Sequence, residues 1–189
     1  MTESLKEVKR RSFVKKQKGV TIWFTGLPSS GKSTIADVVA EELRKRAFKA
    51  ERLDADIIRA YLWKELGYSK EDRDENIRRV AYLSHLLTKN GVAVLTSFIS
   101  PYRELRDYAR KKIGDFIEVY VKCPVEICIQ RDTRGMYKKA MAGEIKNFTG
   151  ISDPYEEPLE SEVLIKSDEE TIRESAAKIM DKLKELRYI

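Results

Sequence analysis

Long apolar runs are missing from this 189-residue chain: none approaches the roughly 20 residues of a membrane span, so no membrane-crossing helix and no membrane partner are expected. Cysteine is scarce. Cys123 and Cys128 stand five apart with no further ligands at metal spacing, which argues against a zinc site and fits two small core hydrophobes in a reducing cytoplasm. The first 18 residues carry Lys6, Lys9, Arg10, Arg11, Lys15, Lys16 and Lys18 but no apolar core, so they read as a basic arm and not as a secretory signal. There are no repeats and no low-complexity tracts. Amides are few, three Asn and two Gln against 36% charged residues, a balance that leans toward a heat-adapted source. No nucleic-acid signature accompanies the net charge of +6, and the basic residues are interleaved with acids.

What is present alternates regularly. Strands are expected at 20–25, 49–53, 92–97, 116–121 and 162–166, and helices at 32–46, 54–65, 72–90, 101–112, 124–132 and 168–187. Residues 133–160 show no clean period and hold Gly135, Gly143, Gly150, Pro154 and Pro158. Such alternation implies one α/β domain over 19–189. Its core is a doubly wound, five-stranded parallel sheet with helices on both faces and ligands beyond the C-terminal strand edges. A chain of this length buries about 70% of its unfolded surface.

Gly26-Leu27-Pro28-Ser29-Ser30-Gly31-Lys32-Ser33 fits the phosphate-loop pattern G-x-x-x-x-G-K-[ST]. It lies between the β-branched and aromatic run Val20–Thr25 and a segment from Thr34 whose apolar residues fall at 35, 38, 39 and 43, so the context is strand, loop and helix. Backbone N–H groups and the positive helix end would cradle phosphate; Lys32 would neutralise the β- and γ-phosphates, and Ser33 would offer its hydroxyl to Mg²⁺. A kinase-type site holding polyanions accounts for the local positive charge. Many phosphate-loop proteins end their third strand with a carboxylate that supports Mg²⁺. This chain has Thr96-Ser97 there, so Asp54 or Asp56, just past strand two, is the candidate. Either could also orient an acceptor hydroxyl and take its proton, or simply cap a helix. Arg59 shares a helix face with Asp56. Arg73, Asn76 and Arg79 are spaced by three, and by spacing alone a solvated charged face is the favoured reading. Tyr68 could be a core aromatic or a stacking plate. The basic stretch from 131 to 150 could be a lid over the transferring phosphoryl group or a plain surface loop.

Together these motifs resemble the adenylylsulfate kinase family over about residues 19–165. The resemblance rests on Thr21–Leu27 leading into the phosphate loop, Leu53-Asp54-x-Asp56, Asp72-Arg73-x-Glu75-Asn76-Ile77-Arg78-Arg79, Leu95–Arg103, Gly135-x-Tyr137-Lys138-Lys139-Ala140, and Gly143–Ile151. It implies a homodimeric phosphate-loop kinase that uses Mg²⁺ and ATP to phosphorylate the 3′-hydroxyl of adenylyl sulfate. It further implies that Asp56 orients that hydroxyl as base, and that Arg59, Arg73 and Asn76 hold the phosphosulfate end. Tyr68, where the family usually has Phe, would sandwich the substrate adenine with Phe148. Ile99 and Ser100 would line the substrate pocket, Arg134 would reach it from the lid, Arg131 would serve the nucleotide, and Asp54 would belong to the substrate side. In the family Ser100 also counts as a catalytic residue through a phosphoserine intermediate, although no sequence neighbour of Ser100 is an evident base. The chain departs from the family's Asp-Gly-Asp-Asn at Asp54-Ala55-Asp56-Ile57 and again at Ala60. If position 55 needs positive φ, Ala55 costs of order 1 kcal/mol; Ile57 removes an amide that could hold substrate.

Overall fold

The structure is a computed structural model that describes residues 17–189. The expected basic arm therefore lies, up to residue 16, outside the described residues. Five strands, β1 (Val20–Thr25), β2 (Ala50–Asp54), β3 (Ala93–Ser97), β4 (Phe116–Lys122) and β5 (Val163–Lys166), form one parallel sheet in the order β2-β3-β1-β4-β5. The helices are α1 (Lys32–Lys45), α2 (Ala55–Leu62), α3 (Lys70–Lys89), α4 (Arg103–Ile113), α5 (Val125–Gln130), α6 (Met136–Met141) and α7 (Ile172–Glu185). No helix among the described residues is long and apolar enough to cross a membrane.

β1 is buried along its whole length because helices cover both faces of the sheet. Its alternation splits the core in two. Val20, Ile22 and Phe24 join the apolar sides of α1 and α7, whereas Trp23 packs with residues of α3 and α4. A third cluster, Cys123, Cys128, Tyr137, Ala140 and Phe148, joins the end of β4 to the 131–150 segment. Both cysteines are free and buried, and burial pushes the Cys128 thiol up to about 12, so they pack as hydrophobes.

Most expected boundaries move by one to three residues, and two differences are larger. The last helix begins at Ile172 and not at 168, because Thr171 and Glu174 form a reciprocal capping box and residues 167–170 turn back from β5. The segment 133–160 is not wholly irregular. α6 lies within it, six residues between two glycines, too short to show a period. Elsewhere Asn90 caps α3 and Gly91 follows with φ 81°, the stop that the Asn-Gly pair signals.

The topology switches at β1, between β3 and β4, and the loops at its C-terminal end open onto one cavity of about 1260 Å³.

Candidate active site

The phosphate loop leaves β1 at Gly26. A Cβ on Gly26 would stand 2.4 Å from the Val121 carbonyl oxygen, so no side chain fits where the loop crosses β4. Gly31, with φ 97°, is the N-cap of α1. Lys32 and the N-terminus of α1 therefore face the same concavity that Pro28, Ser29, Ser33 and Thr34 line. Lys32 is 8% exposed and donates to the carbonyls of Gly26 (3.0 Å) and Leu27 (2.5 Å) and to Ser30 Oγ (3.3 Å). Burial pushes its ammonium down to about 8, with Asp54 and the buried thiols working the other way. A protonated Lys32 holds phosphate and a neutral one does not. Nucleotide affinity is accordingly full below pH 8 and falls above it, by at most about tenfold per pH unit until the pKa of the bound state is passed. Calorimetric titration with nucleotide from pH 7 to 10 checks this, and Lys32→Arg, charged throughout, flattens the slope.

Asp54 caps α2, one of its sequence readings, and also stands beside the phosphate loop. One oxygen accepts the Asp56 N–H at 3.0 Å and caps α2; the other accepts Ser33 Oγ–H at 2.9 Å and Ser97 Oγ–H at 3.1 Å. Burial works to raise its pKa, but these hydrogen bonds and the nearby Arg52 outweigh it and hold the carboxyl below its ordinary value. A carboxylate thus stands beside the phosphate-loop hydroxyl where Ser97 ends β3 without one. Hard oxygens from Ser33 and Asp54 fit Mg²⁺, which takes few protein ligands and completes its shell with phosphate and water. Among the described residues no cluster of three or more His, Cys, Asp or Glu offers a closed metal cage.

Asp56, one residue inside α2, is exposed to the cavity and pairs with Arg134 of the 131–150 segment at 2.5 Å. Arg59 also lines the cavity; it donates to the carbonyls of Leu66 and Gly67 and lies 4.8 Å from the centre of the Tyr68 ring. Tyr68 is two-thirds exposed and Phe148 is buried; both line the cavity, and Phe148 sits edge-on to Tyr137. Ala55 opens α2 without positive φ, so the feared backbone cost is absent, and neither Ile57 nor Ala60 lines the cavity.

The solvated charged face expected of Arg73, Asn76 and Arg79 on α3 holds for Arg79, which pairs with exposed Glu65 and half-exposed Glu75, and is corrected at the other two. Asn76 is 6% exposed and accepts the Trp63 indole N–H at 2.7 Å. The Arg73 guanidinium is held by Asp153 (2.6 Å), Thr149 Oγ1 (3.2 Å), and the carbonyls of Asn147 and Tyr68. The spacing rule missed this because the covering surface is the 147–153 turn, some 75 residues further along the chain.

Ser100 is 2% exposed, has φ 41°, and its Oγ accepts the Trp23 indole N–H at 3.0 Å. Its carbonyl is gripped by Arg106, a residue sequence reading passed over. Arg106 is 2% exposed, pairs with buried Glu118 at 2.7 Å, and donates to the carbonyls of Ser100 and Glu156 at 2.6 Å each. Arg106→Ala leaves buried Glu118 with the longer Arg110 contact at 3.3 Å as its remaining ion pair, and should cost about 3 kcal/mol in urea unfolding, the low end for a broken buried pair, with m unchanged. Ile99 lines the cavity and takes the Thr25 hydroxyl on its carbonyl at 2.7 Å.

At the cavity's other end Arg131 donates to the Ser167 carbonyl (2.9 Å) and hydroxyl (3.2 Å), beside Glu170, Thr171, Ile172 and Ser175. That β5–α7 turn was also missed, although its place at a C-terminal strand edge could have flagged it.

A phosphate cradle, a cation, two carboxylates and a basic flap around one cavity can bind a nucleotide and bring a hydroxyl to its terminal phosphoryl group. Comparison with known proteins narrows this. The adenylylsulphate kinase family profile matches residues 18–166. An adenylyl-sulfate kinase from Gloeothece citriformis is 56% identical over 174 residues, 92% of this chain and 99% of its own. The structure of an APS kinase from Mycobacterium tuberculosis in complex with AMPPNP and APS superposes with a TM-score of 0.86 at 41% identity, covering 89% of this chain and 99% of the other. A hexameric APS kinase from Thiobacillus denitrificans gives 0.71 at 30% identity, covering all of this chain and 33% of that longer one. On this match the chain is a kinase, and it belongs to the adenylylsulphate kinase family.

Proposed function

We propose that the protein transfers the γ-phosphoryl group of ATP to the 3′-hydroxyl of adenylyl sulfate, giving 3′-phosphoadenylyl sulfate and ADP. The observation that carries this reading is the single cavity in which Lys32 and Ser33 of the phosphate loop face Asp54, Asp56 and the aromatic pair Tyr68 and Phe148. The loop, from Gly26 to Thr34, binds the triphosphate, with Arg131 beside the base. Ser33, with Asp54 beside it, would hold Mg²⁺, which would supply charge neutralisation to the transferring phosphoryl group. Asp56 orients the acceptor hydroxyl and takes its proton as the oxygen attacks in line; its pair with Arg134 opens to admit the substrate, and Arg134 then faces substrate. Tyr68 and Phe148 hold the acceptor's adenine, and Arg59, Arg73 and Asn76 its anionic end. Ile99 and Ser100 shape the floor. The buried, indole-bonded Ser100 hydroxyl supports a wall role over a phosphoserine one. Residues 131–150 act as the lid and 1–18 as the arm, and the assembly is a homodimer in the cytoplasm. Sedimentation equilibrium decides between a dimer and a larger form. An acceptor panel at fixed Mg-ATP tests the main claim. Turnover with adenylyl sulfate and none with a sugar acid or a cyclitol is expected; the reverse would overturn it.

A further inference from the structure

One side chain joins the two halves of the cavity. Tyr137, fully buried on α6, donates its hydroxyl to the Pro28 carbonyl of the phosphate loop at 2.9 Å. The same ring makes a T-shaped contact with Phe148, centroids 4.9 Å apart at 74°. Its backbone N–H is fixed on Asp132 at 2.7 Å, so the ring has little freedom between these two contacts.

The Pro28 contact acts on the Ser29 amide. Pro28 C=O and Ser29 N–H belong to one trans peptide plane and point in opposite directions. A hydroxyl that holds the carbonyl also sets where the Ser29 N–H faces, and Ser29 itself has φ 60°, a conformation a non-glycine residue keeps only when its surroundings impose it. At the other contact, the Phe148 carbonyl accepts the N–H groups of Ile151, Ser152 and Asp153, and Asp153 grips Arg73. The same turn touches the loop once more: a Cβ on Gly150, whose φ is 91°, would lie 2.8 Å from Leu27 Cδ2.

We infer that Tyr137 is a positioning residue that couples the two sites, so that filling the phosphate loop raises affinity for the acceptor and the acceptor raises affinity for nucleotide. The acceptor half of this rests on the function proposed above. By linkage the factor is the same in both directions, and such factors commonly lie between about 5 and 150.

Tyr137→Phe removes the hydroxyl and keeps the ring against Phe148. The probes are AMPPNP with Mg²⁺, and adenylyl sulfate, titrated singly and together. In the wild type each ligand should tighten the other at least about fivefold. In Tyr137→Phe that factor should fall to within about twofold of one, with the affinity for adenylyl sulfate alone changed by less than about twofold. A packing role alone would weaken both ligands and lower Tm but leave the factor intact, and that result overturns the inference, as does a wild-type factor of one. Hydrogen exchange on the wild type gives a second readout that needs no variant. AMPPNP alone should protect amides 137–148; nucleotide binding without that protection overturns the coupling. Failure of adenylyl sulfate to bind wild type while AMPPNP still protects 137–148 strikes the acceptor assignment and leaves the Pro28 link standing.

Discussion

Asp56→Asn lowers kcat about 10²-fold or more and leaves the affinity for Mg-ATP close to that of the wild type. The two effects separate because Asp56 and the phosphate loop lie on different elements. Asp56 begins α2, where its backbone N–H is capped by Asp54, and Asn keeps that bond. What Asn cannot do is take a proton from the acceptor hydroxyl. It also loses the charge that pairs with Arg134. That pair is exposed on both sides, so it contributes little to stability, and thermal unfolding should barely move. The acceptor KM should change less than kcat, because a proton-accepting contact strengthens in the transition state. Steady-state kinetics with each substrate varied, beside a nucleotide titration, makes the check. Full turnover in Asp56→Asn would remove the base assignment and return the role to Asp54.

Lys32→Ala should lower kcat by about 10³-fold, the scale reached when a preorganised charge is removed from the transferring phosphoryl group. Here the penalty has a second source. Lys32 donates to two loop carbonyls and to Ser30, so it also shapes the cradle it serves. Its loss should weaken nucleotide binding as well as turnover, unlike Asp56→Asn. The alanine chain should fold at least as stably, since burial already penalises the charged ammonium. Kinetics plus a urea titration separate the two. Loss of folding with normal nucleotide binding in the residual folded fraction would contradict this reading of Lys32.

Most of the sheet was legible because β1, β3, β4 and β5 are short, largely apolar runs, whereas β2 (Ala-Glu-Arg-Leu-Asp) was placed by the alternation around it; the phosphate loop was legible because its geometry demands fixed residues at fixed spacing. The helix cap at Asp54 was readable from its place after β2. Long-range partners were not readable. Arg73 looks solvated until the turn at 147–153 closes over it, and Arg106 looks like one more charge on an amphipathic helix until Glu118 of β4 is seen beneath it. α6 hides between glycines. Ala55 runs the other way: the residue was suspect by comparison with a pattern, and the backbone at that position proves ordinary for alanine.

The most direct test of the account is ADP release from Mg-ATP with and without adenylyl sulfate, with the product mass recorded. ADP that appears only with adenylyl sulfate, together with a product heavier than adenylyl sulfate by one phosphoryl group, is the predicted result. Nucleotide binding with no ADP release on addition of adenylyl sulfate would contradict it.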